Sequence, residues 1–230
     1  MAYVIQPAPI PAVAVHGGGQ FPVHRIYCVG RNYAEHAQEM GHSGREPPFF
    51  FTKPADAIVP VPAGETARIA YPSQTKNLHH EIELVVALAS GGRDIRASDA
   101  ARLIWGYAVG LDMTRRDLQG EAKKQGRPWC SGKAFDESAP IGPLHAIQST
   151  GELNKGAITL KVNGALKQKG DLSDLIWNVG EIIEHLSALW TLAPGDLIYT
   201  GTPAGVGAVV KGDLMEGEIA GLGTLRVQIA

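Results

Sequence analysis

Two glutamates, Glu81 and Glu83, stand at the start of an apolar, β-branched run that ends at Leu88. Such a run is typical of a buried strand, and strand residues two positions apart point to the same face. Two adjacent carboxylates in an apolar setting repel each other and lose hydration, so they need a neutralising partner. A shared proton, an Arg or Lys side chain, or a divalent cation meets that need. Mg²⁺ or Mn²⁺ is the simplest answer, because both ions prefer oxygen ligands.

A third acid, Asp112, follows a second apolar strand predicted over residues 105–111. Three carboxylates at strand ends, completed by water or substrate, match the octahedral oxygen site of Mg²⁺ or Mn²⁺. The plainer alternatives are an edge strand whose polar face meets water for the glutamates, and a helix cap for Asp112. The sequence thus predicts a metal site formed by Glu81, Glu83 and Asp112, and both plainer alternatives stay open.

A histidine and a glutamate three residues apart, His36 and Glu39, fall in a segment predicted to be helical over residues 32–40. Asn32 is the predicted N-cap of that helix, and glycines follow it, as expected for a mobile lid. Side chains three apart lie on one helix face, so the glutamate can orient the imidazole to take a proton from water. The alternative is an ordinary exposed pair.

Two cations follow the acids along the chain. Arg116 lies one turn beyond Asp112, with Gln119 three residues further, in a helix predicted over residues 113–124. Lys133 lies in a predicted loop between two small residues. Each cation alone is an ordinary surface residue, but beside a metal the two would hold a carboxylate and stabilise developing negative charge.

The composition indicates the kind of protein that positions these residues. The chain has 230 residues, 44% of them hydrophobic, which is enough for one sizeable core. A net charge of −2 without a basic run disfavours nucleic-acid binding. The 28 glycines and 15 prolines favour a β-rich fold with many turns, including a hairpin at Asn163 and Gly164. Further elements are predicted as strands over 25–30 and 197–200, a helix over 174–189, and a last strand or hairpin over 217–229.

The cysteines and the chain start point to a compartment. Cys28 and Cys130 lie far apart without a CxxC context, so we expect free thiols in a reducing environment. No signal-peptide pattern and no apolar run of membrane-spanning length are found in the sequence. We therefore predict a cytoplasmic protein without membrane partners, in which an extended N-terminal arm over residues 1–22 precedes a single domain over 23–230.

Five segments in order resemble signatures of the fumarylacetoacetate hydrolase family. They are GRNYAEH at 30–36, HEIE at 80–83, GYAVGLD at 106–112, GKAFD at 132–136 and GDLIYTGTP at 195–203. The resemblance implies a strand-rich α+β fold, a mixed β-sandwich roll of the family's C-terminal-domain type with a few short helices, which usually forms a homodimer. Residues 21–27 and 46–56 further resemble the branch of this family that hydrolyses fumarylpyruvate in gentisate breakdown. The stretch 128–131 departs from the family pattern, so the resemblance does not specify the details of the pocket wall.

The resemblance also implies roles for individual residues. A divalent metal would be held by Glu81, Glu83 and Asp112, with Mg²⁺ expected and Mn²⁺ or Ca²⁺ as alternatives. His36 and Glu39 would ride on a lid helix and, together with Lys133, carry catalysis. The positions that match contacts to the pyruvate-like end of ligands are Arg116, Gln119, Lys133 and Thr202. The resemblance does not assign the group that receives the carboxylate at the other end, and Arg31 or Lys53 is our hypothesis for that role.

The implied activity is metal-dependent hydrolysis of a carbon–carbon bond in a 2,4-diketo acid, with fumarylpyruvate cleaved to fumarate and pyruvate in aromatic catabolism. A small diketo acid is therefore the expected partner. An acylpyruvate hydrolase or an oxaloacetate decarboxylase would use the same metal site. A protein of another class, which binds a keto acid or a metal without catalysis, would have no need of a water-activating pair such as His36 and Glu39.

Overall fold

The computed structural model describes residues 3–33 and 45–230, and β-strands dominate these ranges. The strands are β1 (Ala12–Ala14), β2 (Gln20–Pro22), β3 (Ile26–Gly30), β4 (Phe49–Lys53), β5 (Ile58–Pro60), β6 (Thr66–Ile69), β7 (Leu78–His80), β8 (Ile82–Leu88), β9 (Ile104–Leu111), β10 (Thr114–Arg115), β11 (Ala139–Ile141), β12 (His145–Ala146), β13 (Ala157–Val162), β14 (Ala165–Asp171), β15 (Leu197–Tyr199), β16 (Gly207–Val209), β17 (Leu214–Ile219) and β18 (Gly223–Ile229). The α-helices are α1 (Arg116–Lys124), α2 (Cys130–Lys133), α3 (Ile147–Thr150) and α4 (Val179–Leu189), and short 3₁₀ helices span Ala55–Ala57, Ala97–Leu103 and Leu172–Asp174.

Two larger sheets form the body of the protein. The first has the strand order β4-β3-β15-β8-β9-β11-β5, with β12 also paired to β9, and it mixes parallel and antiparallel neighbours. The second has the order β14-β13-β17-β18-β6. One apolar cluster contains side chains of both sheets, including Leu84 of β8, Leu160 of β13 and Val227 of β18. The predicted strand-rich α+β class is confirmed.

Strand β8 lies in the middle of the first sheet, between β15 and β9, and every one of its residues is buried. Leu84 and Val86 belong to the core between the two sheets. Val85 and Ala87 point the other way, into a second apolar cluster with Cys28 and other side chains. Burial on both faces explains why the sequence reads as one continuous apolar run. The edge-strand alternative is therefore wrong for the strand that carries Glu83.

Several predicted turns and strands are found where expected. The hairpin between β13 and β14 turns at Asn163 and Gly164, whose φ angles of 51° and 78° fit a two-residue hairpin loop. The predicted final hairpin is the antiparallel pair β17–β18. Cys28 and Cys130 are free thiols, as predicted.

Two predicted helices begin later than expected. The helix predicted from residue 113 begins at Arg116, because Thr114 and Arg115 pair with β7 as strand β10. The helix predicted from residue 174 begins at Val179, where Asn178 and Glu181 form a capping box. The start of each helix is therefore set by a strand pairing or by a cap. The helical periodicity of the preceding residues does not determine it.

The predicted N-terminal arm contains a small antiparallel ribbon, β1–β2. Val13 and Phe21 of this ribbon are buried in the second apolar cluster. The division of the chain at residue 22 stays a prediction. None of the helices in the described ranges is both long and apolar enough to cross a lipid bilayer.

Two glycines test the packing around the central strands. A Cβ at Gly110, which pairs with Glu83, would lie 2.5 Å from Val85 Cγ2 and 2.7 Å from Tyr199 Cε1. We expect Gly110→Ala to destabilise the protein by about 1–3 kcal/mol through overpacking. A Cβ added at Gly120 in helix α1 would meet no neighbouring atom within 4 Å, so Gly120→Ala should stabilise by about 0.5–1 kcal/mol. Urea unfolding measures both, and equal effects would contradict this account of the packing.

Candidate metal centre and active site

The two glutamates of the predicted metal site lie where the chain passes from one sheet to another. Strand β7 pairs with β10 and β16 in a small separate sheet, whereas β8 pairs with β15 and β9. Glu81 occupies the break between β7 and β8, and Glu83 lies inside β8. Alternation along one strand therefore explains only part of the convergence of the two side chains. The change of sheet at Glu81 is the other part of the explanation.

Asp112 joins the glutamates because β8 and β9 run antiparallel. Ile82 pairs with Leu111, and the backbone N–H of Asp112 donates to the carbonyl oxygen of Glu81 at 2.9 Å. The three acids are buried, and each offers a carboxylate oxygen such that all three atoms lie within 4.8 Å of one another. The helix-cap alternative for Asp112 is wrong, since helix α1 begins four residues later.

Lys133 lies among these carboxylates, at the last position of helix α2. Its ammonium donates to Glu81 Oε2 at 2.8 Å, Asp112 Oδ2 at 2.6 Å and Thr114 Oγ1 at 2.7 Å. Burial alone would lower its pKa, but the carboxylates of Asp112 and Glu81 outweigh that cost and raise the pKa above its usual value. Lys133 is therefore a charged, buried group, and not part of an open loop.

Lys53, at the end of β4, is a second buried cation beside the triad. Its ammonium lies 2.8 Å from Asp112 Oδ1 and donates to the backbone carbonyl oxygens of Met113, at 3.2 Å, and Lys133. The three N–H bonds of Lys53 are thus directed at protein acceptors, and its side chain has no exposed surface. The alternative that Lys53 receives a substrate carboxylate is wrong for this reason.

Glu83 is the acid that these cations leave uncompensated. Lys53, Lys133 and Arg116 form ion pairs with Asp112 or Glu81, and no ion pair to Glu83 is found within the described ranges. Its Oε2 accepts one hydrogen bond, from the backbone N–H of Gly201 at 2.8 Å. Burial, followed by the charges of Asp112 and Glu81, raises the pKa of Glu83 well above its usual value.

The residues present fit a divalent metal ion. Oxygens that share one ion at about 2.0–2.6 Å lie at most roughly 4–5 Å apart, which the triad satisfies with little adjustment. All three donors are carboxylates, the ligands preferred by hard cations. Glu83, whose pKa is raised by burial and which has no cation partner within the described ranges, would be stabilised by such an ion.

A pocket opens over Glu81 and Glu83. The predicted substrate and charge-stabilising residues within the described part of the chain all line it, namely Arg31, Arg116, Gln119, Lys133 and Thr202. On helix α1 the Arg116 guanidinium donates to Gln119 Oε1 at 2.7 Å and to Glu81 Oε1. Cationic and amide side chains thus converge beside the two acids, so the pocket suits a small ligand with anionic groups.

Gln168 of β14 supports this corner and escaped the sequence reasoning. Its Oε1 accepts from the backbone N–H of Ile82 at 3.1 Å and lies 2.8 Å from His80 Nδ1. Its Nε2 donates to Thr202 Oγ1 at 2.8 Å, and that hydroxyl donates to the carbonyl oxygen of Ile82 at 2.7 Å. The signal in the sequence is weak, because Gln168 stands between two exposed lysines in a polar strand.

The predicted water-activating pair, His36 and Glu39, lies outside the described residues. Asn32, predicted as a helix N-cap, is buried, and its amide oxygen accepts from the backbone N–H of Trp177 at 2.8 Å. Its Nδ2 donates to the carbonyl oxygens of Trp177 and Thr200. These bonds join distant parts of the chain, and the helix that Asn32 was predicted to cap lies outside the described residues.

Comparison with known proteins places this geometry in a family. The family described as "Fumarylacetoacetate (FAA) hydrolase C-terminal" matches residues 25–230. The crystal structure of fumarylpyruvate hydrolase from Pseudomonas aeruginosa in complex with Mn²⁺ and pyruvate is 55% identical, with a TM-score of 0.98. That match covers 100% of this chain and 99% of the other.

Two curated relatives show that the family includes more than one activity. Fumarylpyruvate hydrolase from Ralstonia sp. is 46% identical over 184 residues, which cover 80% of this chain and 93% of that protein. The human mitochondrial oxaloacetate tautomerase FAHD1 is 41% identical over 204 residues, covering 89% of this chain and 90% of the relative.

The comparisons confirm the predicted resemblance and the fold of the family's C-terminal-domain type. The prediction of a hydrolase that acts on carbon–carbon bonds is confirmed at the level of the family, and metal dependence agrees with the acidic triad. This chain belongs to the fumarylacetoacetate hydrolase family.

Proposed function

We propose that this protein hydrolyses a carbon–carbon bond of a 2,4-diketo acid and cleaves fumarylpyruvate to fumarate and pyruvate. The observation that carries the proposal is the buried triad of Glu81, Glu83 and Asp112 beside a pocket wall that bears Arg116. A cation site next to a guanidinium suits the 2-oxo acid end of such a substrate. The similar P. aeruginosa hydrolase, whose crystals contain Mn²⁺ and pyruvate, supports this reading.

Glu81, Glu83 and Asp112 would hold a divalent metal, with Mg²⁺ proposed and Mn²⁺ or Ca²⁺ as alternatives. When bound, the ion supplies a Lewis acid and a template for the 2-oxo acid. Arg116 and Gln119 bind the carboxylate at that end of the substrate, because their polar groups line the pocket beside Glu81. They fix the orientation of the substrate, and orientation lowers the entropic part of the barrier.

His36, oriented by Glu39, takes a proton from water, which adds to the distal keto carbon. The bond between that carbon and the neighbouring methylene then breaks, and its electron pair leaves with the pyruvate fragment as an enolate. A proton delivered to that fragment completes pyruvate, and the water oxygen stays in the new carboxylate of fumarate. Lys133 supports this step by charge, since its pKa is raised and it stays an ammonium in the site.

A second candidate, a reaction of oxaloacetate, draws support from the human relative named an oxaloacetate tautomerase. Oxaloacetate carries the same 2-oxo acid end, so the triad and Arg116 would bind it in the same way. Cleavage of acylpyruvates also fits this end of the pocket. The non-catalytic alternative has no support in the comparisons, because the relatives named above are enzymes. The homodimer and the cytoplasmic location stay predictions.

The activity is tested with fumarylpyruvate and Mg²⁺. We expect the diketo-enol absorbance to disappear while fumarate and pyruvate form in equal amounts, and EDTA to stop the reaction because the triad loses its cation. Oxaloacetate and acetylpyruvate are assayed as alternative substrates. The reaction of oxaloacetate is measured by carbon dioxide release and keto–enol interconversion, and that of acetylpyruvate by pyruvate formation. A kcat/KM for oxaloacetate above that for fumarylpyruvate would favour the second candidate.

The ligand role of Glu83 is tested by calorimetric titration with Mn²⁺. Glu83→Gln should weaken binding at least about tenfold, since the amide removes a charge that the ion neutralises. It should also diminish the rise in Tm that Mn²⁺ gives the unaltered protein. Glu216→Gln is the control, because Glu216 pairs with Arg226 on another sheet. Equal Mn²⁺ affinities for the two variants would remove Glu83 from the metal site.

The general base is tested with His36→Ala. We expect kcat to fall at least about a hundredfold, the usual scale of a lost acid–base group. Mn²⁺ affinity by calorimetry should stay unchanged, because the proposed ligands are intact. Near-normal turnover would exclude His36 from proton transfer, and a parallel loss of metal binding would point to a structural effect instead.

A further inference from the structure

The wall of the pocket carries a cation, Lys123, that has no role in the proposed reaction. Lys123, in the last turn of helix α1, lines the same pocket as Glu81 and Glu83. Arg31, directly after β3, lines it as well, so the two cations come from separate elements. Arg116 is the third cation of this wall, and Lys133 of helix α2 is a fourth, which lies among the carboxylates of the triad.

Aromatic rings connect Lys123 to Arg31. The Arg31 guanidinium carbon lies 4.9 Å from the centroid of the Phe49 ring, and Lys123 Nζ lies 5.8 Å from that of Trp129. The two rings meet edge to face, with centroids 5.2 Å apart and an interplanar angle of 88°. Cation–ring and edge-to-face contacts are both attractive, so these four side chains form one arc along the pocket.

The backbone holds Arg31 in this arc at some cost. Its φ of 54° lies in the left-handed region, which non-glycine residues seldom adopt and which concentrates at functional sites. The preceding residue, Gly30, lies directly under Phe49, and a Cβ there would come within 2.0 Å of Phe49 Cζ. The close approach of the ring to the backbone therefore depends on this glycine, and the ring in turn supports the guanidinium.

The arc carries positive charge that the described residues hardly balance. Burial, followed by the charges of Arg31 and Arg116, lowers the pKa of Lys123, so the three cations repel one another. In the ranges 3–33 and 45–230, Lys123 forms no ion pair, and Arg31 Nη1 makes no hydrogen bond. The one acid within 4.0 Å of the Arg31 guanidinium there is the exposed Glu46. Such a group of cations attracts anions.

We propose that Arg31 and Lys123 form a second anion subsite, which binds the carboxylate at the far end of a dicarboxylate substrate. The inference rests on the proposed function, since the triad and Arg116 serve the 2-oxo acid end. Phe49 and Trp129 lie along the flat unsaturated chain between the two ends. The subsite selects dianionic diketo acids over acylpyruvates, which end in an alkyl group, and over the shorter oxaloacetate.

The subsite is tested first by binding. Fumarate and crotonate have the same trans-alkene chain, but crotonate has a methyl group in place of one carboxylate. Calorimetry on the Mn²⁺-loaded protein should show fumarate bound at least about tenfold more tightly than crotonate, as expected for a charge-assisted contact. Lys123→Gln should lose most of this preference. Lys124→Gln, which changes the adjacent lysine of the same helix outside the pocket lining, should retain it.

A kinetic comparison separates the subsite from the proposed function. The ratio of kcat/KM for fumarylpyruvate over acetylpyruvate should fall at least about tenfold in Lys123→Gln and stay unchanged in Lys124→Gln. If the unaltered protein hydrolyses neither compound, the proposed function fails, while the fumarate and crotonate affinities still decide the subsite. An unchanged fumarate preference in both Lys123→Gln and Arg31→Gln would overturn it, with unchanged Tm values showing that both variants fold.

Discussion

The repulsion among three buried carboxylates is the interaction to which the surrounding structure responds. Lys53 compensates Asp112 from inside the protein, and Lys133 lies between Asp112 and Glu81. Arg116 reaches Glu81 from helix α1. Only Glu83 lacks such a partner within the described ranges, and burial, followed by the charges of Asp112 and Glu81, raises its pKa. Buried charges are tolerated in proteins when they are paired or bind a metal. The cations and the proposed metal would therefore together compensate the three buried negative charges.

The fold stabilises this arrangement by fixing it from several sides. The central strand β8 is buried on both faces, and the antiparallel register with β9 sets where Asp112 lies relative to the glutamates. The step from the small sheet of β7 into the large sheet brings in Glu81. Gln168, from the opposite sheet, joins Ile82 to Thr202 by hydrogen bonds. A rigid, hydrogen-bonded frame of this kind keeps charged groups in place without reorganisation, and catalytic sites depend on such preorganisation.

Acidic and basic side chains occupy different parts of the pocket. Glu81 and Glu83 are its buried acids, whereas Arg31 and Lys123 lie on the wall against the rings of Phe49 and Trp129, and Arg116 lines the same wall. A ligand that carries oxygen donors at one end and a second negative group at the other matches this polarity along its length. The relatives named as fumarylpyruvate hydrolase and oxaloacetate tautomerase show that a shared 2-oxo acid end is compatible with different reactions.

The sequence by itself determined the elements whose signals are local. Continuous apolar runs predicted β8 and β9, the pair Asn163 and Gly164 predicted a hairpin, and the acids at strand ends predicted a cation site, because each depends on neighbours along the chain. The tertiary structure alone decided the late starts of α1 and α4, the inward direction of Lys53, the bonds of Asn32 and the place of Gln168. These depend on strand pairings and ion pairs between residues distant in sequence, and no local pattern of residue types encodes which distant partner a polar side chain will meet.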